Sequence, residues 1–207
     1  MRPYHSQRTT PANSSITMET PYHIEIEKAI PVLEAGGIIL YPTDTIWGIG
    51  CDATNLSAIK KIYALKKRPD KKAMIILVAD EKDIYKYVKV PSEKVFEYLK
   101  HAEKPTTVIY NNAINLPSEL LSEDNSIAIR IVQDDFCKDL IREIGNPIVS
   151  TSANLSGDKS PFSFNEINEE IKSGVDYIVK YRTQEVMHAA SSIIRLNSAG
   201  AIEVIRL

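Results

Sequence analysis

Short apolar runs alternate along this chain with segments of helical periodicity, and that alternation constrains the fold more than any other feature. "IILY" (38–41), "AMIILV" (73–78), "TTVIY" (106–110), "SIAIRIV" (126–132) and "PIVST" (147–151) have the length and β-branched content of strands. Residues 24–35, 56–66, 81–88, 92–102 and 135–144 carry apolar side chains at helical spacing, and another helix is expected near 165–172. Gly36-Gly37 ends the first helix, and Asn55 or Ser57 can cap the second. Further strands are expected at 175–180, 190–196 and 201–206, with "NSAG" (197–200) making the final pair a hairpin. Interleaving of this kind favours an α/β fold over an all-α or all-β one.

A chain of 207 residues with 43% hydrophobic content buries one sizeable core, and no Pro/Gly-rich linker or internal repeat divides it. Residues 1–20 read as a polar, disordered tail and 21–207 as the domain, with Met18 an equally good start. The tail lacks the apolar centre of a secretory signal, and no window approaches the apolar length of a membrane helix. Cys51 and Cys137 fall in no CxxC pattern, which fits free thiols in a reducing, cytoplasmic setting. The net charge is −2, so any affinity for phosphate or RNA must come from a local patch.

Such a patch exists in "LKKRPDKKAMIILV" (65–78), where Lys66, Lys67, Arg68, Lys71 and Lys72 stand within seven residues. Pro69 stops the helix, so Arg68, Lys71 and Lys72 belong to a loop, where clustered charge suits a triphosphate or RNA phosphates equally. The Walker pattern and a convincing GxGxxG are both absent, which argues against a P-loop or Rossmann site. "YPTDTIWGIGCD" (41–52) delivers Thr43, Asp44 and Thr45 to a strand end, the usual ligand side of an open α/β sheet; its hydroxyls could equally cap local backbone. "PIVSTSANLSGDKSP" (147–161) ends a strand in small polar residues, able to meet a ligand's polar edge or to form a local turn. Arg130, inside an alternating strand, either faces solvent or clasps a carboxylate. "ASSII" (190–194) brings further hydroxyls to a late strand. The four histidines form no obvious cluster.

In this order, "YPTDTIWGIGCDATN", "LKKRPDKKAMIILV", "SIAIRIV", "STSANLSG" and "ASSII" resemble the YrdC-like family, from about residue 24 to the end of the chain. The family's two signature pairs are Lys-x-Arg, matched by Lys66 and Arg68, and Ser-x-Asn, matched by Ser152 and Asn154. The resemblance implies a single α/β domain with a twisted mixed sheet, flanking helices and a ligand cleft on the concave face. It implies threonylcarbamoyl-AMP synthase activity, joining L-threonine, bicarbonate and ATP with release of pyrophosphate. The product then serves a separate transferase complex that makes threonylcarbamoyladenosine in tRNA. Carried over by motif, Thr45, Arg130, Ser152 and Ser191 contact L-threonine, Arg130 through the carboxylate. Lys66, Arg68, Lys72, Ser126, Asn154 and Arg206 contact ATP, with Ser152 and Asn154 bridging the two substrates. Ser192 adjoins Ser191, so that assignment can shift by one. Mg²⁺ is expected with ATP, held largely by phosphates and water, and no residue is assigned as catalytic or as a metal ligand.

The chain departs from the family where a Pro-Gly-Pro-x-Thr segment is usual: in "AEKPTTVI" (102–109) only Pro105 and Thr107 match. It also lacks the long C-terminal extension of two-domain members, and so resembles the short form. The alternative reading is an RNA-binding paralogue with little synthase activity. Its surface would not need Thr45, Arg130 and Asn154, and its binding would depend steeply on salt. A carbamoyl-transfer module of a larger maturation enzyme is disfavoured by the lack of zinc-finger cysteines.

Overall fold

The helices begin and end where side chains and backbone conformation satisfy their free polar groups. Asn55 accepts the Ala58 N–H at 3.0 Å at one helix start, and Asp134 accepts the Cys137 N–H at 2.8 Å at another. Gly145, at φ +73°, closes the second of these in the left-handed conformation that glycine tolerates. The computed structural model describes residues 20–67, 74–187 and 189–207. The expected N-terminal tail therefore lies outside the described residues, apart from Thr20.

Among the described residues the helices are α1 (His23–Glu34), α2 (Leu56–Leu65), α3 (Glu93–Lys100), α4 (Asp135–Ile144) and α5 (Glu169–Gly174). The strands are β1 (Ile39–Tyr41), β2 (Gly48–Gly50), β3 (Ile75–Val78), β4 (Thr106–Tyr110) and β5 (Ile127–Ile131), then β6 (Ile148–Ser152), β7 (Tyr177–Ile178), β8 (Ser192–Leu196) and β9 (Ile202–Arg206). They form one mixed sheet in the order β7-β1-β2-β6-β3-β5-β4-β8-β9. The pairs β7–β1, β3–β5 and β4–β8 are parallel and the others antiparallel.

Strand side chains alternate between two cores. Ile38, Leu40, Ile76, Val78 and Ile129 pack with Ile59 and Ile62 of α2 and Phe96 of α3. Ile39, Tyr41, Leu77 and Ile148 pack on the other face with Leu33 of α1 and Phe136 and Leu140 of α4. The sheet is therefore covered on both faces near β1, β6 and β3, whereas α1 and α4 do not reach the second face across β5, β4 and β8.

Several boundaries differ from the periodicity, each for a local reason. Residues 81–88 form only a 3₁₀ turn, Glu81–Lys86, because Asp80 and Asp83 cap it reciprocally and Val88 leaves to bridge Ala113. The helix near 165–172 splits into a 3₁₀ turn at Phe164–Glu166 and α5, because Asn168 starts a new helix by accepting the Glu170 N–H at 2.8 Å. Of 175–180 only Tyr177 and Ile178 pair, since β1 is itself short. Gly48 to Gly50 lies in what sequence alone reads as a loop, yet it is a strand between β1 and β6. A β-carbon at Gly50 would sit 2.6 Å from the Tyr41 ring and 2.7 Å from the Val149 carbonyl, so the strand forms only with glycine there.

The β7 edge is pinned by a buried carboxylate. Glu25 of α1 accepts the Tyr177 hydroxyl at 2.7 Å and the Lys180 N–H at 2.6 Å. Burial, with Glu25 alongside, pushes the Tyr177 phenol above its ordinary value, so it remains a donor through neutral pH. Glu25→Ala is expected to cost about 2 kcal/mol and to lower the melting temperature by roughly 4–8 °C. An unchanged melting curve would show that β7 is held by other contacts.

Candidate functional site

The uncovered part of the second face carries a cleft of about 540 Å³. Its floor follows from strand alternation: Ile75, Ala128, Ile109 and Arg195 are register neighbours across β3, β5, β4 and β8, and they and Ile193, opposite Thr107, point away from the α2–α3 core. Thr45, Ser126, Arg130, Ser152, Ser191 and Arg206, expected from sequence to bind substrate, all line it. Lys66 and Asn154 are not among the lining residues, but Lys66 donates to the Ser152 carbonyl. Arg68 and Lys72 lie outside the described residues.

At one end the chain leaves β1 through Pro42 and makes a tight hydroxyl turn. The Thr43 hydroxyl donates to the Ile46 carbonyl at 2.7 Å, accepts the Thr45 N–H at 3.1 Å and lies 3.0 Å from the Thr45 hydroxyl. Asp44 then accepts from Arg130 Nη2 at 2.9 Å and from the Gln133 N–H at 3.2 Å. The Arg130 and Asp44 side chains are 4% and 6% exposed, so this ion pair is desolvated and held by complementary geometry. Arg130 Nε is also buried and lacks a protein acceptor. An arginine oriented by a buried carboxylate on the lining of a cleft suits a planar anion such as a carboxylate.

Along one wall Lys66 meets Ser152 and Asn154. The Lys66 ammonium, 2% exposed, donates to the carbonyls of Ser152 and Asn154, with Asn154 Oδ1 at 3.5 Å. The Lys66 carbonyl in turn accepts the Ser156 N–H at 2.9 Å. Asn154 spends its amide donors on the Leu155 and Asp158 carbonyls, at 3.0 and 2.7 Å, which closes its own turn. Lys66 therefore knits the end of α2 to the serine-rich turn after β6.

The opposite wall is built on β4, β8 and β9, with Thr107 of β4 in register with Arg130 of β5. Ser191 stands in the cleft with its hydroxyl 2.8 Å from the buried Thr107 hydroxyl, and its carbonyl accepts from Arg206 at 2.8 and 3.2 Å. Ser192 begins β8 opposite Thr106, on the other face, which resolves the adjacency in favour of Ser191 as the cleft residue. Hydrogen bonds from Ser126 hold the Asp124 carboxyl below its ordinary range, so it is ionised in the cleft at neutral pH. Arg195 also lines the cleft and is paired with Glu203 at 2.7 Å. No cysteine or histidine occurs among the described lining residues, and burial pushes the Cys51 and Cys137 thiols well up, away from nucleophilic chemistry. Such an arrangement has the groups to bind, orient and neutralise anionic reactants.

Sequence reasoning placed Asp44 at the ligand side of the sheet without a partner, and assigned no role to Thr107, Asp124 or Arg195. The "PTDT" turn and the lone strand arginine were the only signals for the Asp44 pairing, and "KPTT" the only one for Thr107.

The family model Sua5_yciO_yrdC, described as "Telomere recombination", matches residues 31–207. Over 157 residues the chain is 34% identical to a protein of Pseudoalteromonas translucida named threonylcarbamoyl-AMP synthase, covering 74% of this chain and 84% of that one. Among solved structures it resembles P. abyssi Sua5 complexed with L-threonine, with a TM-score of 0.77 and 24% identity over 87% of this chain. It spans about half of that protein, 53% of its length. It also resembles E. coli YciO, with a TM-score of 0.78 and 23% identity over 91% of each chain. These likenesses at low identity show a shared fold.

Proposed function

We propose, from the premise that this chain belongs to the Sua5/YciO/YrdC family, that it is a threonylcarbamoyl-AMP synthase using L-threonine, bicarbonate and ATP. The observation that carries this reading is Arg130: a buried guanidinium held by Asp44, with Nε lacking a protein acceptor, in a cleft that also presents the Thr45 and Ser191 hydroxyls. That end suits an amino acid carrying both a carboxylate and a hydroxyl. Ser126, Arg206 and the Asp124 carboxylate give the rest of the cleft the polar lining a nucleotide needs.

The threonine amine displaces water from bicarbonate to form a carbamate, and a carbamate oxygen then attacks the α-phosphorus of ATP as pyrophosphate leaves. Positioning and charge neutralisation supply the rate enhancement, so no protein nucleophile is required. Lys66 joins Ser152 to Asn154 beside the phosphates, and Arg68 and Lys72 complete the grip. Mg²⁺ enters with ATP on phosphate and water ligands; among the described residues no group of three or more His, Cys, Asp or Glu is placed to hold a metal. The product passes to a separate transferase acting on adenosine in tRNA. The use of ATP and the buried free thiols support a cytoplasmic setting, and no described helix is long and apolar enough to cross a membrane.

Incubation with ATP, L-threonine and isotope-labelled bicarbonate is expected to yield threonylcarbamoyl-AMP carrying the label in its carbamoyl carbon. Label-free product, or none from folded protein, overturns the reading and turns attention to the RNA-binding alternative.

A further inference from the structure

Arg182 belongs to none of the sequence motifs, yet its guanidinium holds three segments at once. Nη1 donates to the Asp134 carboxylate at 2.7 Å and to the Thr43 carbonyl at 3.4 Å. Nε donates to Glu185 at 2.6 Å, and Nη2 lies 3.8 Å from the Met187 sulfur. The side chain is 19% exposed. Its backbone sits at φ +60°, a left-handed conformation unfavourable for a residue with a β-carbon, so surrounding contacts must hold it there.

The three segments bear on one end of the cleft. Asp134 is fixed because its other oxygen caps α4. Thr43 immediately precedes Asp44 and Thr45, and its hydroxyl accepts the Thr45 N–H, so a shift of Thr43 carries Thr45 with it. Met187 is buried, donates its N–H to the Phe162 carbonyl at 2.6 Å, and lies just ahead of Ser191. Ser191 is held from the far side by Thr107 and Arg206. Arg182 therefore ties its own segment, as far as Met187, to the turn carrying Thr45, braced against the start of α4, and Ser191 follows four residues on.

We propose that Arg182 is a positioning residue that sets the Thr45 hydroxyl against the Ser191 hydroxyl. The latch rests on geometry, and the substrate it serves, L-threonine, rests on the synthase reading. Losing the guanidinium loosens both segments and leaves the sheet and the phosphate side of the cleft intact.

The test combines hydrogen exchange with steady-state kinetics on Arg182→Met, Arg182→Gly and Arg182→Lys. In the Met and Gly variants, peptides covering 41–47 and 189–192 are expected to exchange faster together, by about tenfold, while β3 and β5 keep their protection. The KM for L-threonine is expected to rise about tenfold with the KM for ATP within about twofold, and Lys to recover part of the loss. Glycine relieves the left-handed backbone, so a loss seen there belongs to the side chain and not to strain. Unchanged exchange in either segment overturns the inference. So does a parallel rise of both KM values with a fall in melting temperature, which marks a merely structural residue. If the wild-type protein shows no threonine-dependent turnover, the synthase reading falls and the paired exchange rates alone decide the latch.

Discussion

Arg130→Met is expected to abolish threonine-dependent pyrophosphate release, by at least about 100-fold, and to destabilise the protein at the same time. On the proposed function, the activity loss follows from removing charge-assisted hydrogen bonds to the L-threonine carboxylate, each contributing roughly 1.5–3 kcal/mol. The stability loss has a separate cause. Asp44 is 6% exposed and loses its counter-ion, and breaking a buried pair by deleting one partner costs about 3–5 kcal/mol. The two effects can be separated. Arg130→Met combined with Asp44→Asn removes the stranded charge while the side-chain oxygen can still accept the Gln133 N–H. The double variant is expected to recover most of the stability and none of the activity. If it regains turnover, Arg130 acts only through the fold. If the single variant is as stable as wild type, the pair is not held as described. Denaturant melts with pyrophosphate assays on the four proteins of this cycle decide both points.

The second large effect is expected at Lys66. Its ammonium is buried and donates to the Ser152 and Asn154 carbonyls, so Lys66→Met leaves two acceptors without a charged donor. A loss of about 3 kcal/mol in stability is expected from these bonds. The serine-rich turn should open, raising the KM for ATP more than that for L-threonine. Lys66→Arg is not expected to rescue, because a planar guanidinium is larger than the enclosed site and cannot present the same point charge. Full activity in the arginine variant would contradict a role that depends on the compact ammonium.

How much of this was legible beforehand depends on the separation at which each interaction acts. The strands around "SIAIRIV" and "TTVIY" declare themselves by local alternation, and the helix over 135–144 by its period and its Asp134 cap. The "PTDT" turn, the Arg130 strand and the Ser152–Asn154 turn were readable as polar groups at strand ends. What the residues did not reveal was pairing across the chain: Arg130 meets Asp44 at a separation of 86 residues, Thr107 meets Ser191 at 84, and Arg182 meets Thr43 at 139. None of these leaves a periodic trace. β2 was missed because "GIG" carries the composition of a loop, and only the Tyr41 ring lying across Gly50 explains why a strand there must be glycine. Lys66 was read only as a phosphate contact, and nothing local in the sequence announced that its ammonium is turned onto the Ser152 and Asn154 carbonyls.

The most direct test of the central claim is pyrophosphate release from ATP and bicarbonate by the wild-type protein, measured with and without L-threonine. The synthase account predicts release that requires L-threonine and bicarbonate together and saturates with each. Release that is indifferent to L-threonine, or its absence from folded protein that still binds ATP, would contradict it.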